Sequence, residues 1–157
     1  MKITLLLIGK TSFPFVKEGL EFYEKRLTHY INFQRVEIPD IKATKNFDSK
    51  LMKEKEGELI LKQIKPTDTL ILLDERGAKY KSIFWAKEIE KKMITSAANL
   101  VFVVGGAYGF SDKVYQRANE KLSLSDMTFS HQIIRLFFLE QLYRAFTIIK
   151  GEPYHNE

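Results

Sequence analysis

A chain of 157 residues with 45% hydrophobic content has the length of one folded domain and can bury a core without covalent staples. It has no cysteine, which excludes disulfides, thiolate metal sites and a cysteine nucleophile, and its three histidines (His29, His131 and His155) lie too far apart in sequence to suggest a metal cluster. The net charge of +5, with a pI of about 9.3, permits a nucleic-acid partner and fits equally well a solvated surface with a lysine surplus.

The first element, Ile3–Ile8, is a continuous apolar run that reads as a strand buried on both faces. It is too short for a signal-peptide core, and no small-residue cleavage site follows it. Val16, Leu20, Tyr23, Leu27 and Tyr30 then recur at spacings of three and four, one stripe of a helix whose first turn suits Pro14. A second strand is expected over Phe33–Ile38, followed by a loop over Asp40–Phe47. A lysine- and glutamate-rich helix runs from about Ser49 to Gln63 and ends before Pro66.

Thr69–Leu73 and Asn99–Val104 are again continuous apolar strands. Between them a helix begins at Ser82 as N-cap, with Ile83, Ala86, Ile89, Met93 and Ile94 facing inward. A short helix opens at Ser111-Asp112, carrying Val114, Tyr115 and Ala118, and a weaker strand covers Lys121–Ser125. The last helix, about His131 to Lys150, is apolar over most of its circumference, so it sits deep in the core or shares a face with another chain. Arg135, Glu140, Gln141 and Arg144 interrupt it, and no run reaches the ~20 apolar residues of a membrane span. Strands alternating with helices imply one α/β domain, residues 1–157, with a mostly parallel sheet; a soluble cytoplasmic protein is expected.

Ligands of open α/β sheets bind beyond the carboxyl ends of strands, and two such ends carry unusual residues. One is Leu72-Leu73-Asp74-Glu75-Arg76-Gly77. The other is Val104-Gly105-Gly106-Ala107-Tyr108-Gly109, whose three glycines suit either close approach to a ligand or a tight turn. Neither fits a dinucleotide fingerprint or a phosphate-binding loop with Lys-Ser/Thr. A third candidate is Leu124-Ser125-Asp126-Met127-Thr128-Phe129, whose hydroxyls either cap the long helix or join apolar walls around a heterocycle. The end of the chain, Gly151 to Glu157, is either frayed or folded over a site.

The order of these segments, with Phe102 to Gly109, Leu122-Ser-Leu-Ser-Asp-Met-Thr-Phe-Ser-His131, Glu140-Gln-Leu-Tyr-Arg-Ala-Phe146 and the terminal Tyr154-His155, resembles the RlmH family over the whole chain. That family comprises large-subunit ribosomal RNA pseudouridine N3-methyltransferases of the SPOUT class. The resemblance implies a C-terminal trefoil knot, which periodicity cannot reveal, and a homodimer with the last helix at its interface. It also implies S-adenosyl-L-methionine as cofactor, no metal and ribosomal RNA as substrate, with the assembled ribosome as the expected setting. By position it assigns Leu73, Gly105, Leu124, Ser125, Asp126, Met127, Thr128 and Phe129 to the cofactor. It assigns Glu140, Arg144, Tyr154 and His155 to catalysis, and leaves His131 and Arg135 as candidate contacts to substrate RNA. Ser130 stands where many relatives have proline.

On this reading His155 is the proton acceptor for N3 of the base, Tyr154 stacks on the base or bonds its edge, and Arg144, oriented by Glu140 one helical turn away, holds its anionic form. Without the resemblance, Glu140–Arg144 is a plain i,i+4 ion pair. Two other functions stay open on sequence alone. One is a non-catalytic, ribosome-associated RNA-binding protein, and the other a knotted methyltransferase acting on transfer RNA.

Overall fold

The computed structural model describes residues 1–42, 48–95 and 98–156, so positions 43–47 of the expected Asp40–Phe47 loop lie outside the described residues. The elements alternate as the hydrophobic runs demand: β1 (Lys2–Ile8), α1 (Pro14–Leu27), β2 (Asn32–Ile38), α2 (Ser49–Lys62), β3 (Thr69–Ala78), α3 (Ser82–Thr95), β4 (Leu100–Val104), α4 (Asp112–Arg117), β5 (Glu120–Leu122) and α5 (Ile133–Ile149). The five strands form one parallel sheet in the order β2-β1-β4-β3-β5.

Burial follows the two-residue period of the pleat. Ile3, Leu5, Leu7, Ile71, Leu73, Phe102 and Val104 face α1, α3 and α5, and Leu6, Ile8, Leu70, Leu72, Val101 and Val103 face α2 and α4. Helices thus cover both faces, which is why β1 and β4 read as unbroken apolar runs. The last helix is deep because it packs on both α1 and α3, with Phe138, Leu139, Leu142, Ala145 and Phe146 almost fully buried.

Three local expectations need correction. Ser82 is the first helical residue rather than the cap: the Lys81 carbonyl accepts from Trp85 N at 3.0 Å, and the Ser82 hydroxyl donates to Gln141 Oε1 at 2.9 Å. Ile94 points outward at 77% exposure, since the buried stripe of α3 is Trp85, Ala86 and Ile89 with Met93 packed behind it. The weak strand ends at Leu122, not Ser125.

β3 also runs past Leu73, where the apolar run ends, and continues through Asp74-Glu75-Arg76-Gly77 to Ala78. Leu122 pairs with both Leu73 and Ala78, so residues 74–77 bow out around the end of β5. Gly77 makes this possible: a Cβ there would lie 2.5 Å from Leu122 N and 2.6 Å from the carbonyl carbons of Lys121 and Leu122. Among the described residues no helix is long and apolar enough to cross a membrane, and no group of three or more His, Cys, Asp or Glu could hold a metal.

Candidate active site

The carboxyl ends of β4, β3 and β5 are neighbours in the sheet, and their loops close around a cleft of about 490 Å³. Leu73 and Asp74 enter from β3, Val104 to Gly106 from β4, and Leu122 to Ser125 from β5. Met127, Thr128, Phe129, Ser130 and His131 complete the wall before α5 begins. Seven of the eight residues expected at the cofactor therefore share one cleft. Asp126 is the exception: it lies on the same loop, but its carboxylate is 83% exposed and pairs with Lys79 instead.

Local chemistry explains the shape of these loops. Of the three glycines after β4, only Gly109 has a left-handed backbone, at φ 82°. At Gly105 a Cβ would press on the Phe110 ring at 3.0 Å, so the small residue keeps that side of the cleft open. The Ser123 hydroxyl donates to Ser125 O at 3.0 Å, and Ser125 Oγ accepts from Met127 N at 3.0 Å, folding the loop on itself. Ser130 Oγ accepts from Ile133 N at 3.2 Å and satisfies an open donor of the first turn of α5. The capping role thus falls to Ser130, and Ser125 shapes the cleft.

The sequence marks Leu72 to Gly77 as an unusual strand end but assigns a role only to Leu73; the structure adds a polar corner beside it. Asp74 accepts a hydrogen bond from the Tyr115 hydroxyl and another from Arg76 N at 2.8 Å. The Arg76 guanidinium adds a longer bond of 3.4 Å and lies over the Tyr115 ring. Burial pushes the Asp74 carboxyl up, but these donors outweigh it and hold the group below its ordinary value. Burial, then the bond to Asp74, raises the Tyr115 phenol. The acid and base directly after an apolar strand mark the corner in the sequence, but its third member, Tyr115, lies 41 residues further along the chain.

The four residues assigned to catalysis form a second cluster. Arg144 Nη2 donates to Glu140 Oε1 at 2.5 Å, and the Tyr154 hydroxyl donates to the same oxygen at 3.0 Å. The guanidinium lies over the Tyr154 ring, 4.8 Å from its centroid, and Arg144 Nη1 is 3.1 Å from His155 Nδ1. A guanidinium only donates, so Nδ1 is the acceptor and the neutral imidazole carries its proton on Nε2. Burial, then bonds with Tyr23 and Glu140, holds the Tyr154 phenol well above its ordinary value and keeps it a neutral donor.

Residues 151–156 are folded, not frayed. Glu152 N donates to Thr147 O at 2.9 Å, and Tyr30 donates to Glu152 Oε2 at 2.6 Å, a bond that, with some burial, pushes Tyr30 up to about 12.

None of these four residues lines the first cleft. Glu140 lines an adjoining hollow of about 540 Å³ with Tyr80, Trp85, Phe137 and Gln141, and Leu122 to Ser125 and Phe129 are common to both cavities. His131 is exposed in the cleft wall.

Arg135 contradicts its expected RNA contact. It is 0% exposed, and its guanidinium donates to Ile8 O at 2.7 Å, Gly9 O at 2.9 Å, Thr11 Oγ1 at 2.9 Å and His131 O at 3.0 Å. It ties the end of β1 to the start of α5. Gln132, also missed, does the same through Ser12 N at 2.9 Å and Lys10 O at 3.1 Å.

Comparison with known proteins agrees with this geometry. The profile of the family described as "Predicted SPOUT methyltransferase" matches residues 1–155. A protein of Parabacteroides distasonis named Ribosomal RNA large subunit methyltransferase H is 57% identical over 157 residues, covering 100% of both chains. Proteins of the same name from Flavobacterium psychrophilum and Christiangramia forsetii are 54% identical over 157 residues (100% of both chains) and 53% identical over 156 residues (99% of both). The trefoil knot follows from the SPOUT class, whose family profile spans nearly the whole chain. With one parallel sheet, one cleft at three adjacent strand ends and end-to-end similarity of this degree, the chain belongs to the SPOUT methyltransferase family, among the members named ribosomal RNA large subunit methyltransferase H.

Proposed function

We propose that the protein transfers a methyl group from S-adenosylmethionine to N3 of a pseudouridine in large-subunit ribosomal RNA, and that it does so as a homodimer. The observation that carries this reading is the convergence of Leu73, Gly105 and Leu124–Ser125 on one cleft. The cleft suits the donor in size, within the ~300–1,000 Å³ usual for small-molecule sites. It suits it in chemistry too: Leu73, Val104, Leu124 and Phe129 offer apolar walls, and the backbone around Gly105 and Ser123 offers polar edges for a purine. The Gly105 position is a space that a side chain would fill.

When bound, the donor supplies a sulfonium-activated methyl group. The chain's own residues must hold N3 in line with that methyl at near-attack distance and favour the anionic base. Arg144 and the Nε2–H of His155 are donors suited to the carbonyl oxygens of a uracil ring. The N3 proton then passes to water, because the tautomer set by Arg144 makes His155 a donor at Nε2 rather than a base. Glu140 positions Arg144 and Tyr154 together.

The test is tritiated methyl incorporation into free ribosomal RNA, separated subunits and whole ribosomes, with the product identified by mass spectrometry. N3-methylpseudouridine in the large-subunit RNA is expected. Glu140→Gln should lower kcat by about 10- to 100-fold while leaving the donor KM nearly unchanged. Absence of methyl transfer to all three substrates refutes the proposal.

A further inference from the structure

We propose that Asp74 is the residue by which the cleft distinguishes the cationic methyl donor from its neutral demethylated product. The inference rests on the reading of this cleft as the donor site. Donor and product share their adenosine and amino-acid parts and differ by one methyl group and one positive charge at sulfur. Shape acts only on the methyl group, where an apolar pocket discriminates by about 10- to 200-fold at best, and leaves the difference in charge unused. A fixed negative charge in the wall acts on the other difference.

Asp74 has the properties that such a charge needs. Its side chain is 7% exposed, yet it lines the cleft next to Leu73. Tyr115 fixes Oδ2, and Arg76 N fixes Oδ1 at 2.8 Å, so the carboxylate cannot swing away. The Arg76 amide, the Arg76 guanidinium and the Tyr115 hydroxyl all donate to it, which favours the ionised form. Of the other titratable groups on the wall, Tyr115 is a neutral donor to Asp74 with a raised pKa, and Glu75, Arg76 and His131 are exposed, where solvent and salt screen them. Arg76 is 65% exposed and offsets Asp74 only in part. Attraction of the sulfonium to a buried carboxylate is several-fold stronger than in water, and it ends when transfer turns the sulfonium into a thioether. The same carboxylate therefore favours loading of the donor and release of the product.

Calorimetry on the full-length protein tests this with three ligands: S-adenosylmethionine, S-adenosylhomocysteine, and an analogue bearing an ammonium group in place of the sulfonium. Asp74→Asn keeps the shape, can still accept from Arg76 N through its oxygen and can donate from its amide to the Tyr115 hydroxyl oxygen. It should weaken the two cationic ligands about tenfold and the neutral one by less than about twofold. Arg76→Gln removes an exposed side chain and should move the ratio the other way, by about two- to threefold. Equal weakening of all three ligands by Asp74→Asn would make Asp74 a shaping residue only and overturn the inference, while the function proposed above stands. If Asp74→Asn does not fold, an unchanged ratio in Arg76→Gln overturns it as well. Binding of none of the three ligands by the wild-type protein sinks both readings.

Discussion

Glu56 sits on α2 with its carboxylate directly beneath the glycine loop of the cleft: a Cβ on Gly106 would fall 2.6 Å from Glu56 Oε2. The residue is 7% exposed, and its Oε1 has no hydrogen-bond partner among the described residues. Burial first, and then the nearby Asp40 carboxylate, raises its pKa above the ordinary value. The sign of the consequence follows from linkage. At low pH both folded and unfolded chains hold the proton. As pH rises past the unfolded pKa, the unfolded chain ionises freely while the folded chain must keep the proton or bury a charge, so stability is lost through the folded pKa. Glu56→Gln removes that loss. Urea midpoints should match the wild type near pH 4 and exceed it at pH 8, with the gap opening between these limits. A gap that does not change with pH would show that burial does not hold the Glu56 carboxyl above its ordinary value. Nothing in the local sequence marks Glu56, because it stands in a lysine- and glutamate-rich stretch that reads as solvated. Only the fold turns that side of α2 onto the loop after β4.

At the scale of elements, the pinch between β3 and β5 decides whether the cleft exists. Residues 74–77 bow outward because Leu122 pairs on both sides of them, and this crossing has no room for a side chain at Gly77. Gly77→Ala must displace the backbone of Lys121 and Leu122, since each contact of its Cβ is with main-chain atoms at 2.5 to 2.6 Å. The variant should lose about 1–3 kcal/mol of stability, and donor binding should fall with it because Leu73 and Ser123 flank the displaced segment. Thermal denaturation and calorimetry on one preparation check both, and wild-type values in the two would show that the crossing is not tight. Here the limit of sequence reading is physical. The apolar runs of β1, β3 and β4 and the stripe of α1 were legible, since each period is local. The continuation of β3 to Ala78 was not, because its partner lies over forty residues later. The α3 stripe was misplaced toward Ile94 because Ile and Trp compete as core residues and only packing on α5 selects Trp85. Arg135 and Asp74 were legible as unusual residues, but their partners are set by long-range contacts.

At the scale of the molecule, the residues proposed to hold the donor and those proposed to act on the base lie in two separate places of one chain. The cleft has apolar walls, backbone edges and Asp74, but no residue of the Glu140, Arg144, Tyr154 and His155 cluster lines it. Glu140 and Arg144 on α5 hold Tyr154 and His155 of the same chain, and Glu140 lines an adjoining hollow flanked by the exposed Phe137. A two-fold dimer that covers this side of α5 would bring the tail of one copy to the cleft of the other, and each dimer would then hold two such composite sites. The prediction is made with two individually inactive variants. Gly105→Leu spoils the cleft, as a Cβ at that position already meets Phe110 at 3.0 Å, and a Tyr154→Phe, His155→Ala double substitution spoils the tail. Purified heterodimers carrying one copy of each, separated by distinct affinity tags, contain one cleft and one tail that are both intact. If the site is shared between copies, these face each other and about half of the wild-type methylation rate returns. If each chain completes its own site, every site in the heterodimer is damaged and no activity returns, which would reject the shared arrangement while leaving the assignment of the cleft untouched.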